Sequence, residues 1–222
     1  MGRPILALRG VGKKYSGEYV VKNIDLEVYS GDYIIIMGRS GVGKTSLLRI
    51  MTLLMRPDEG DVYFMGSPVD WGDEGWRSRV RSRYFGVLFQ GEVLISTLTA
   101  YENIALAYRV KGLVPDRDEI RSYMERLGIG HLWNRFPDSY SAGEYQRVAI
   151  VRALVTSPEI LVLDEPYANL STDYIEAIED ILAEKNEMGT TIVMTTTELD
   201  RRPGIGKAYL LEDTDLMPVG DM

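Results

Sequence analysis

The sequence has no cysteine and a single histidine, His131. The absence of cysteine excludes disulfide bonds and every kind of thiolate chemistry. It fits a protein of a reducing compartment such as the cytosol, and it equally fits a thermophile, whose proteins carry fewer labile residues. The absence of cysteine therefore only suggests a reducing compartment, and any catalytic residues must be of other types.

Positive charge is also scarce, because 25 lysines and arginines face 33 aspartates and glutamates, for a formal net charge of −8. Binding along a nucleic-acid backbone depends on clustered Lys and Arg side chains that neutralise phosphates. We therefore expect no nucleic-acid partner, while single basic sites for an anion remain compatible with this composition.

Long apolar runs are missing too. The two longest are residues 33–37 and residues 46–55, the second interrupted by Arg49, and both are far shorter than the roughly 20 residues of a membrane-spanning helix. The first residues lack the charged-then-apolar pattern of an export signal, and position 6 lacks the Ser or Thr that myristoylation requires. We expect no membrane span, export signal or lipid anchor.

The length of 222 residues, with 45% hydrophobic residues, predicts one domain that carries an inserted lobe. Apolar patterns up to residue 90 predict strands interrupted by one helix, residues 99–154 are helical in pattern, and strand–helix alternation then resumes. We predict an α/β fold in three parts: residues 1–90 as core with a β subdomain, about 91–155 as a helical lobe, and 156–222 as the rest of the core.

The elements follow from the spacing of apolar residues. The predicted strands are residues 5–8, 21–28, 33–37, 61–65, 84–89, 160–163, 191–195 and 208–211. One predicted helix begins at the glycine-rich loop before Lys44 and places on one face Leu47, Leu48, Met51, Leu54 and Met55. Two others cover residues 116–127, stopped by Gly128, and residues 172–188.

A glycine-rich segment over residues 38–45 fits the pattern G-x-x-x-x-G-K-[ST] between an apolar strand and an amphipathic helix. Glycines let successive backbone N–H groups surround a phosphate, and the helix N-terminus adds partial positive charge. Lys44 can reach the outer phosphates, and the Thr45 hydroxyl can ligate Mg²⁺. The alternative, a plain glycine-rich turn, does not account for the strand and helix that flank the segment.

Two acids follow the apolar residues 160–163 and supply the carboxylates that a nucleotide-phosphate site needs. Asp164 is suited to hold Mg²⁺ through water, and Glu165 to polarise an attacking water as a general base. The alternative is a buried strand that ends in a solvated acidic turn. Together with Lys44, these acids indicate a P-loop NTPase.

A third motif, Tyr140-Ser-Ala-Gly-Glu-Tyr-Gln-Arg147, lies between the first two. Ser141 and Glu144 form an S-x-x-E capping box, which predicts a helix that begins at Ser141 with its positive end exposed. A simple helix cap is the alternative interpretation. The position of this motif before Asp164, together with Gln146, Arg147 and Arg152, resembles the signature motif of the ABC (ATP-binding cassette) ATPases.

The resemblance covers essentially the whole chain and implies a RecA-like core with an N-terminal antiparallel β subdomain and an inserted α-helical subdomain. It implies that Tyr15 stacks on adenine, although an aromatic residue there is equally compatible with core packing. It also implies that Gln90 contacts Mg²⁺ and water, the alternative being a polar strand end. Residues 96–104 resemble the segment that receives a coupling helix of a membrane subunit.

In this family, ATP and Mg²⁺ are the cofactors, and two subunits pack head to tail with each ATP between them. By resemblance the nucleotide would lie against the P-loop of one chain and the signature of the other. The P-loop residues are Gly38, Arg39, Ser40, Gly41, Val42, Gly43, Lys44, Thr45 and Ser46. The signature residues are Ser141, Ala142, Gly143 and Glu144. The implied catalytic residues are Lys44, Gln90 and Glu165, and the implied metal-site residues are Thr45, Gln90 and Asp164.

The stretch Leu98-Thr-Ala-x-Glu-Asn-Ile, the Ser-x-Gly-Glu form of the signature and the short C-terminus are most similar to the lipoprotein-release and macrolide-export group. The resemblance implies an ATPase that drives a separate transmembrane permease from the cytoplasmic face of the membrane. We expect no C-terminal regulatory domain, because few residues follow Glu212.

Two positions depart from the family pattern. Ser171 stands where the family has an aspartate in the loop beyond the Asp164–Glu165 pair, and Thr197 stands where it has a histidine that senses the γ-phosphate. His131 lies in the helical region, and we interpret it as a surface or lobe-packing residue, not as a replacement for that histidine. These departures leave ATP binding unaffected and predict slow hydrolysis.

Three functions remain for comparison. The first is a transport motor. The second is an ATP-gated clamp that dimerises and signals to a membrane partner with little hydrolysis; Ser171 and Thr197 favour it, while the retained Glu165 opposes it. The third, a soluble ABC protein of translation or DNA repair, requires paired cassettes or a long coiled-coil insertion, and this sequence contains neither.

Overall fold

Two β-sheets and six α-helices make up the part of the chain that the computed structural model describes, residues 2–91, 94–198 and 206–220. The strands are β1 (Leu6–Tyr15), β2 (Glu18–Val28), β3 (Tyr33–Met37), β4 (Glu59–Phe64), β5 (Ser67–Pro68), β6 (Phe85–Leu88), β7 (Ile160–Leu163), β8 (Thr191–Thr196), β9 (Lys207–Glu212) and β10 (Asp215–Val219). The helices are α1 (Lys44–Met51), α2 (Glu74–Tyr84), α3 (Ala100–Val110), α4 (Arg117–Arg126), α5 (Ala142–Leu154) and α6 (Thr172–Glu187).

The larger sheet has the order β10-β9-β3-β8-β7-β6, with β9 to β6 parallel and β10 antiparallel at one edge. Its strand β3 is buried throughout. Ile34 and Ile36 face one hydrophobic cluster, whereas Tyr33, Ile35 and Met37 face the other. A parallel sheet covered on both faces explains why β3 and β7 are continuous apolar runs.

The carboxyl ends of parallel strands lie at one edge of a sheet, which is where ligands bind in open α/β folds. Here the loops after β3, β6, β7 and β8 meet at that edge. The residues predicted to act on phosphate lie in these loops or directly after them, namely Lys44, Gln90, Asp164, Glu165 and Thr197.

The smaller sheet is antiparallel, with the order β2-β1-β4-β5, and it provides the expected N-terminal β subdomain. Tyr15 pairs with Glu18 across a two-residue turn in which Ser16 and Gly17 both have positive φ, 51° and 89°. Such a turn matches the twist of the strands it joins. Strand β1 is longer than the predicted residues 5–8, because its second half, Val-Gly-Lys-Lys-Tyr, lacks the apolar pattern of a strand but pairs with β2 in a hairpin.

Helices α3, α4 and α5 pack together between β6 and β7 in sequence, as expected for the inserted helical part. Their N-termini are capped by the side chains of Thr99, Asp116 and Ser141. The predicted helix over residues 116–127 is confirmed, and Gly128 follows it with a φ of 66°.

The structure corrects three expectations. Helix α2 lies in a stretch for which the sequence predicted no helix, between the predicted strands 61–65 and 84–89. Apart from Val80 its side chains are not buried, and its apolar periodicity is weak. Helix α1 ends at Met51, so Leu54 and Met55 are not on its apolar face, and Leu54 is exposed. Strand β10 was not predicted; its residues alternate weakly at a sheet edge.

Within the described residues, no helix combines the length and the apolar composition that crossing a bilayer requires.

Candidate nucleotide-binding site

The P-loop, residues 38–46, connects β3 to α1 and wraps the N-terminus of that helix. Gly43 has a φ of 110°, and a Cβ atom there would lie 2.5 Å from the carbonyl oxygen of Val20. A Cβ atom on Gly38 would lie 2.6 Å from the carbonyl oxygen of Leu211. Glycine is therefore required at both positions by backbone conformation or close approach.

Lys44 has a buried side chain whose ammonium lies inside this loop. Its Nζ donates to the carbonyl oxygens of Gly38 at 2.7 Å and Arg39 at 2.9 Å, and it lies 3.3 Å from Oε1 of Glu165. One cation thus joins the P-loop to the acid that follows β7. A phosphate in the loop would meet this cation directly.

Asp164 is buried at the end of β7, next to β6, where its backbone N–H donates to the carbonyl of Leu88 at 2.8 Å. Its Oδ2 accepts a hydrogen bond from the Thr45 hydroxyl at 2.6 Å. The structure therefore brings together the two residues that the sequence predicts as oxygen ligands of a cation.

Glu165 has a φ of 48°, the left-handed region that a non-glycine residue seldom adopts. Its backbone N–H donates to the Thr195 hydroxyl at 3.0 Å, and its carbonyl accepts from the Gln146 amide at 3.4 Å. Gln146 also donates to the carbonyl of Pro166 at 3.1 Å. Helix α5 and strand β8 therefore hold the backbone of this glutamate from two directions.

A cleft of about 290 Å³ lies over the P-loop. Its lining includes Tyr15, Val20, Gln90 and Glu165 in addition to residues of the P-loop. Tyr15 is half exposed at the end of β1, and its hydroxyl lies 3.3 Å from Oγ of Ser46. The structure thus places both Tyr15 and Gln90, the residues suggested by resemblance, beside the phosphate loop.

The predicted capping box at the start of α5 is present. Oε2 of Glu144 accepts from the backbone N–H and the hydroxyl of Ser141, both at 2.8 Å. These bonds, the backbone one foremost, lower the pKa of Glu144 below its ordinary value. Nε2 of His131 lies 2.9 Å from Oε1 of Glu144, and His131 is 61% exposed. The only histidine is a surface residue, as expected, and it contacts the signature.

The signature residues border a different cleft from the P-loop. Ser141 and Ala142 line a cleft of about 390 Å³ that also includes Gln90 and Glu165 but no residue of the P-loop. Farther along α5, the guanidinium of Arg147 lies 3.7 Å from the ring centroid of Tyr174 at the start of α6. The helix that carries the signature thereby contacts the helix that follows Asp164 and Glu165 in sequence.

The two departures from the family pattern lie near Glu165. Thr197 is exposed just after β8 and shares with Glu165 a cleft of about 210 Å³. Ser171 is exposed at the N-cap of α6, and its side chain makes no capping hydrogen bond. Both positions are where the resemblance places the missing histidine and aspartate.

A family model described as ABC transporter matches residues 21–168, which contain the P-loop, the signature and both acids. The chain belongs to the ABC transporter family. It is an ABC ATP-binding subunit with a P-loop NTPase fold, as predicted.

Curated ABC relatives extend along nearly the whole chain. The lipoprotein-releasing system ATP-binding protein LolD of Aquifex aeolicus is 39% identical over 196 residues, 87% of this chain and 88% of that protein. An ABC transporter ATP-binding protein of Methanocaldococcus jannaschii is 36% identical over 214 residues, 94% of each chain. The macrolide export protein MacB of Paracoccus denitrificans is 36% identical over 88% of this chain and 30% of its own length. The predicted similarity to the lipoprotein-release and macrolide-export group is confirmed.

Solved ABC cassettes share the fold. A dimeric bacterial ABC transporter cassette superposes with a TM-score of 0.88 at 31% identity, over 95% of this chain and 96% of that one. A dimeric post-hydrolysis cassette bound to ADP and Pi has a TM-score of 0.86 at 31% identity, over 98% and 100%. The chain is accordingly an ABC ATPase.

Sequence reasoning missed the roles of Thr195 and Gln146 in this ABC site. Thr195 was predicted only as the end of a strand, and Gln146 only as part of the signature resemblance. The sequence could have indicated Thr195, because it is a polar residue at the carboxyl end of an apolar strand. Asp164 and Glu165 follow the carboxyl end of β7 in the same way. For Gln146 no local pattern indicates a bond to Glu165, because the two residues are joined only by packing of α5 against β7.

Proposed function

We propose that this chain binds Mg-ATP between the P-loop of one copy and the signature of a second copy, and hydrolyses it to drive a separate transmembrane permease. In this proposal residues 1–222 act as a single ABC ATPase domain, with the core over 1–90 and 156–222 and the helical part over about 91–155. The working position is the cytoplasmic face of a membrane.

The observation that carries the proposal is the separation of two half-sites within one chain. The P-loop and Tyr15 line one cleft, whereas Ser141 and Ala142 line another. The signature helix exposes Ser141 at a positively polarised N-terminus. A second copy placed head to tail would supply this helix end to the γ-phosphate that the first copy holds.

The residues around Asp164 fit a magnesium nucleotide. Thr45 and Asp164 provide a hydroxyl and a carboxylate oxygen 2.6 Å apart. Residues 2–91, 94–198 and 206–220 contain no cluster of three or more His, Asp or Glu side chains that could hold a metal alone. This donor set suits Mg²⁺, which keeps several waters and takes phosphate oxygens as ligands. Bound Mg²⁺ would neutralise charge that develops on the phosphates.

Nucleotide binding would have to break the ion pair between Lys44 and Glu165. The phosphates would compete with the Glu165 carboxylate for the ammonium of Lys44. Once free, Glu165 would accept a proton from a water while the water oxygen bonds to the γ-phosphorus and the bond to the β-phosphate oxygen breaks. Gln90, at the rim of both clefts, would help to orient this water.

A specific observation keeps the ATP-gated clamp as the second candidate. Thr197 shares a cleft with Glu165 where the family has a histidine, and it offers a short neutral side chain. Phosphoryl transfer depends on positioning and charge stabilisation, so the loss of one such group costs about 2.7–4 kcal/mol in activation free energy. We therefore expect slow basal hydrolysis with ordinary ATP affinity.

The surface for the membrane partner is proposed at the segment before α3. Asn103 is fully buried, and its amide donates to the carbonyls of Ile95, Leu98 and Thr99 at 2.9–3.1 Å. Ile95 in this fixed loop is exposed. A rigid loop with an exposed apolar side chain suits a coupling helix of a permease. The relatives' names favour a permease of the lipoprotein-release or macrolide-export type.

The proposal is tested by the mass of the Glu165→Gln variant in solution. With ATP and Mg²⁺ this variant should elute as a dimer, because the nucleotide is held but not hydrolysed, and without ATP it should elute as a monomer. Adding Ser141→Arg, which places bulk and charge at the helix end, should keep it monomeric. A monomer in every condition at high protein concentration would refute the ATP-bridged dimer, and ATPase turnover with and without the permease separates motor from clamp.

A further inference from the structure

Thr195 joins the two acids of the active site through a single hydroxyl group. Its Oγ1 donates to Oδ1 of Asp164 at 2.6 Å and accepts the backbone N–H of Glu165 at 3.0 Å. A threonine hydroxyl has one hydrogen to donate and lone pairs to accept, so it can satisfy both contacts at once. The side chain is fully buried, which protects both bonds from competition with water.

The neighbouring strands explain this arrangement. Strand β8 runs parallel to β7, with Met194 opposite Leu163. The next residue of each strand, Thr195 and Asp164, therefore emerges side by side at the carboxyl edge of the sheet. An apolar residue at 195 would fit the strand equally well but would leave a buried carboxylate oxygen and a partly buried N–H without this partner.

Both acids need such support. Glu165 sits at a φ of 48°, a conformation that persists only where surrounding contacts enforce it. Asp164 has one oxygen bonded to Thr45 of the P-loop and the other to Thr195. The Thr45 hydroxyl is the group expected to turn to a cation with the nucleotide, whereas the Thr195 bond involves no P-loop atom. Thr195 can therefore hold the carboxylate through the reaction.

We propose that Thr195 is a positioning residue for ATP hydrolysis, whose hydroxyl fixes the orientation of the Asp164 carboxylate and the backbone of Glu165. The inference rests on the proposed roles of these two acids. Thr195 itself acts through Asp164 and Glu165 and needs no contact with ATP. It contributes to turnover and little to nucleotide affinity.

The test separates the hydroxyl from the shape of the side chain. Thr195→Val keeps the shape and removes the hydroxyl, whereas Thr195→Ser keeps the hydroxyl and removes a methyl group. Thr191→Val is the matched control: it makes the same change at a buried threonine of β8, where the hydroxyl accepts from Gly31 at 3.0 Å at the opposite end of the strand. Thr195→Ala compared with Thr195→Ser makes the same separation if the valine variant does not fold.

Thr195→Val should lower kcat about 10- to 100-fold, the factor that corresponds to losing a hydrogen bond to a charged group. Its KM for ATP and its thermal stabilisation by ATP should change little. Thr195→Ser and Thr191→Val should keep kcat within about threefold of the parent. Slower hydrolysis should also lengthen the life of the ATP-bound dimer of Thr195→Val, a readout that a simple loss of stability would not produce.

Two results would overturn the inference. One is Thr195→Val with unchanged kcat, and the other is Thr195→Ser as impaired as Thr195→Val, which would assign the effect to the methyl group. A failure of the proposed function would give a result that can be distinguished from these two. If Glu165→Gln forms no ATP-dependent dimer, the bridged dimer is wrong, while the comparison of kcat between valine and serine at position 195 still decides the role of the hydroxyl.

Discussion

The ammonium of Lys44 lies 3.3 Å from the carboxylate of Glu165, so the proposed phosphate ligand and the proposed base for hydrolysis form an ion pair with each other. Lys44 is 4% exposed and Glu165 19% exposed as side chains, so water screens the pair poorly. In the proposed mechanism, a phosphate would take the place of Glu165 on Lys44, and the released carboxylate would then serve as the base. Nucleotide binding and activation of the base would thus be coupled.

Lys44→Ala should abolish stabilisation by ATP, because the remaining P-loop contacts to the outer phosphates are neutral N–H groups. At ATP near 100 times its Kd the parent should gain about 2.7 kcal/mol, which for a chain of this size raises Tm by about 5–10 °C. Differential scanning fluorimetry with and without Mg-ATP measures this shift. Lys207→Ala, which removes an exposed lysine paired with Asp32, should retain it. A full shift in Lys44→Ala would refute the assignment of this loop.

Thr197→His should raise kcat at least about tenfold while leaving ATP affinity nearly unchanged, because the imidazole restores a group that reaches both the γ-phosphate and the attacking water. Steady-state phosphate release, together with nucleotide titration, separates the two quantities. Thr197→Asn adds polar length without a titratable ring and is the control, with no comparable gain. A parent rate that histidine does not improve would mean that another side chain has replaced this function.

The signature cap should weaken in acid. The pKa of Glu144 is lowered in the folded protein, chiefly by its bond to the Ser141 backbone, so its stabilising effect is present above its ordinary value near 4.5 and is lost as pH falls through the folded pKa. Glu144→Gln should therefore reduce Tm at neutral pH by about 1–4 °C, from the about 0.3–1 kcal/mol of a carboxylate at a helix N-terminus. The gap to the parent should close toward pH 3.

Glu187→Gln makes the same charge change at the C-terminal end of a helix, α6, where a carboxylate is not stabilising, and should not lower Tm at neutral pH. A difference between Glu144→Gln and the parent that stays constant from pH 7 to pH 3 would contradict the electrostatic account of the cap.

Much of the fold could be predicted because its strongest patterns are local. Within a few positions, the sequence indicates the buried strands β3 and β7 by their apolar residues and the P-loop by its glycines at 38 and 43. It indicates two helix starts by Asp116 and Ser141. Helix α2 was missed because Val80 is its one buried residue, while its other local contacts are the Asp73 N-cap and the ion pairs from Glu74 to Arg77 and Arg81. Amphipathic periodicity cannot reveal a helix of this kind.

In the candidate site, too, the residues of local motifs could be predicted from the sequence, whereas contacts between distant segments could not. Lys44, Thr45, Asp164 and Glu165 belong to motifs whose spacing reflects their chemistry, and the structure brings them together. The contacts of Thr195 and Gln146 with Glu165 join residues 30 and 19 positions apart. They arise from strand order and helix packing, which no single segment of the sequence encodes.

The central claim, that ATP bridges the P-loop of one copy and the signature of another, is tested most directly by mixing two inactive variants. In the Glu165→Gln background, Lys44→Ala and Ser141→Arg should each remain monomeric with Mg-ATP. Their mixture retains one intact site, formed by the P-loop of the Ser141→Arg chain and the signature of the Lys44→Ala chain. We predict an ATP-dependent heterodimer in native mass spectrometry, less stable than the dimer of the parent, which here is the Glu165→Gln single variant. Association of either variant alone at the level of the parent, or a mixture that stays monomeric while the parent dimerises, would contradict the account.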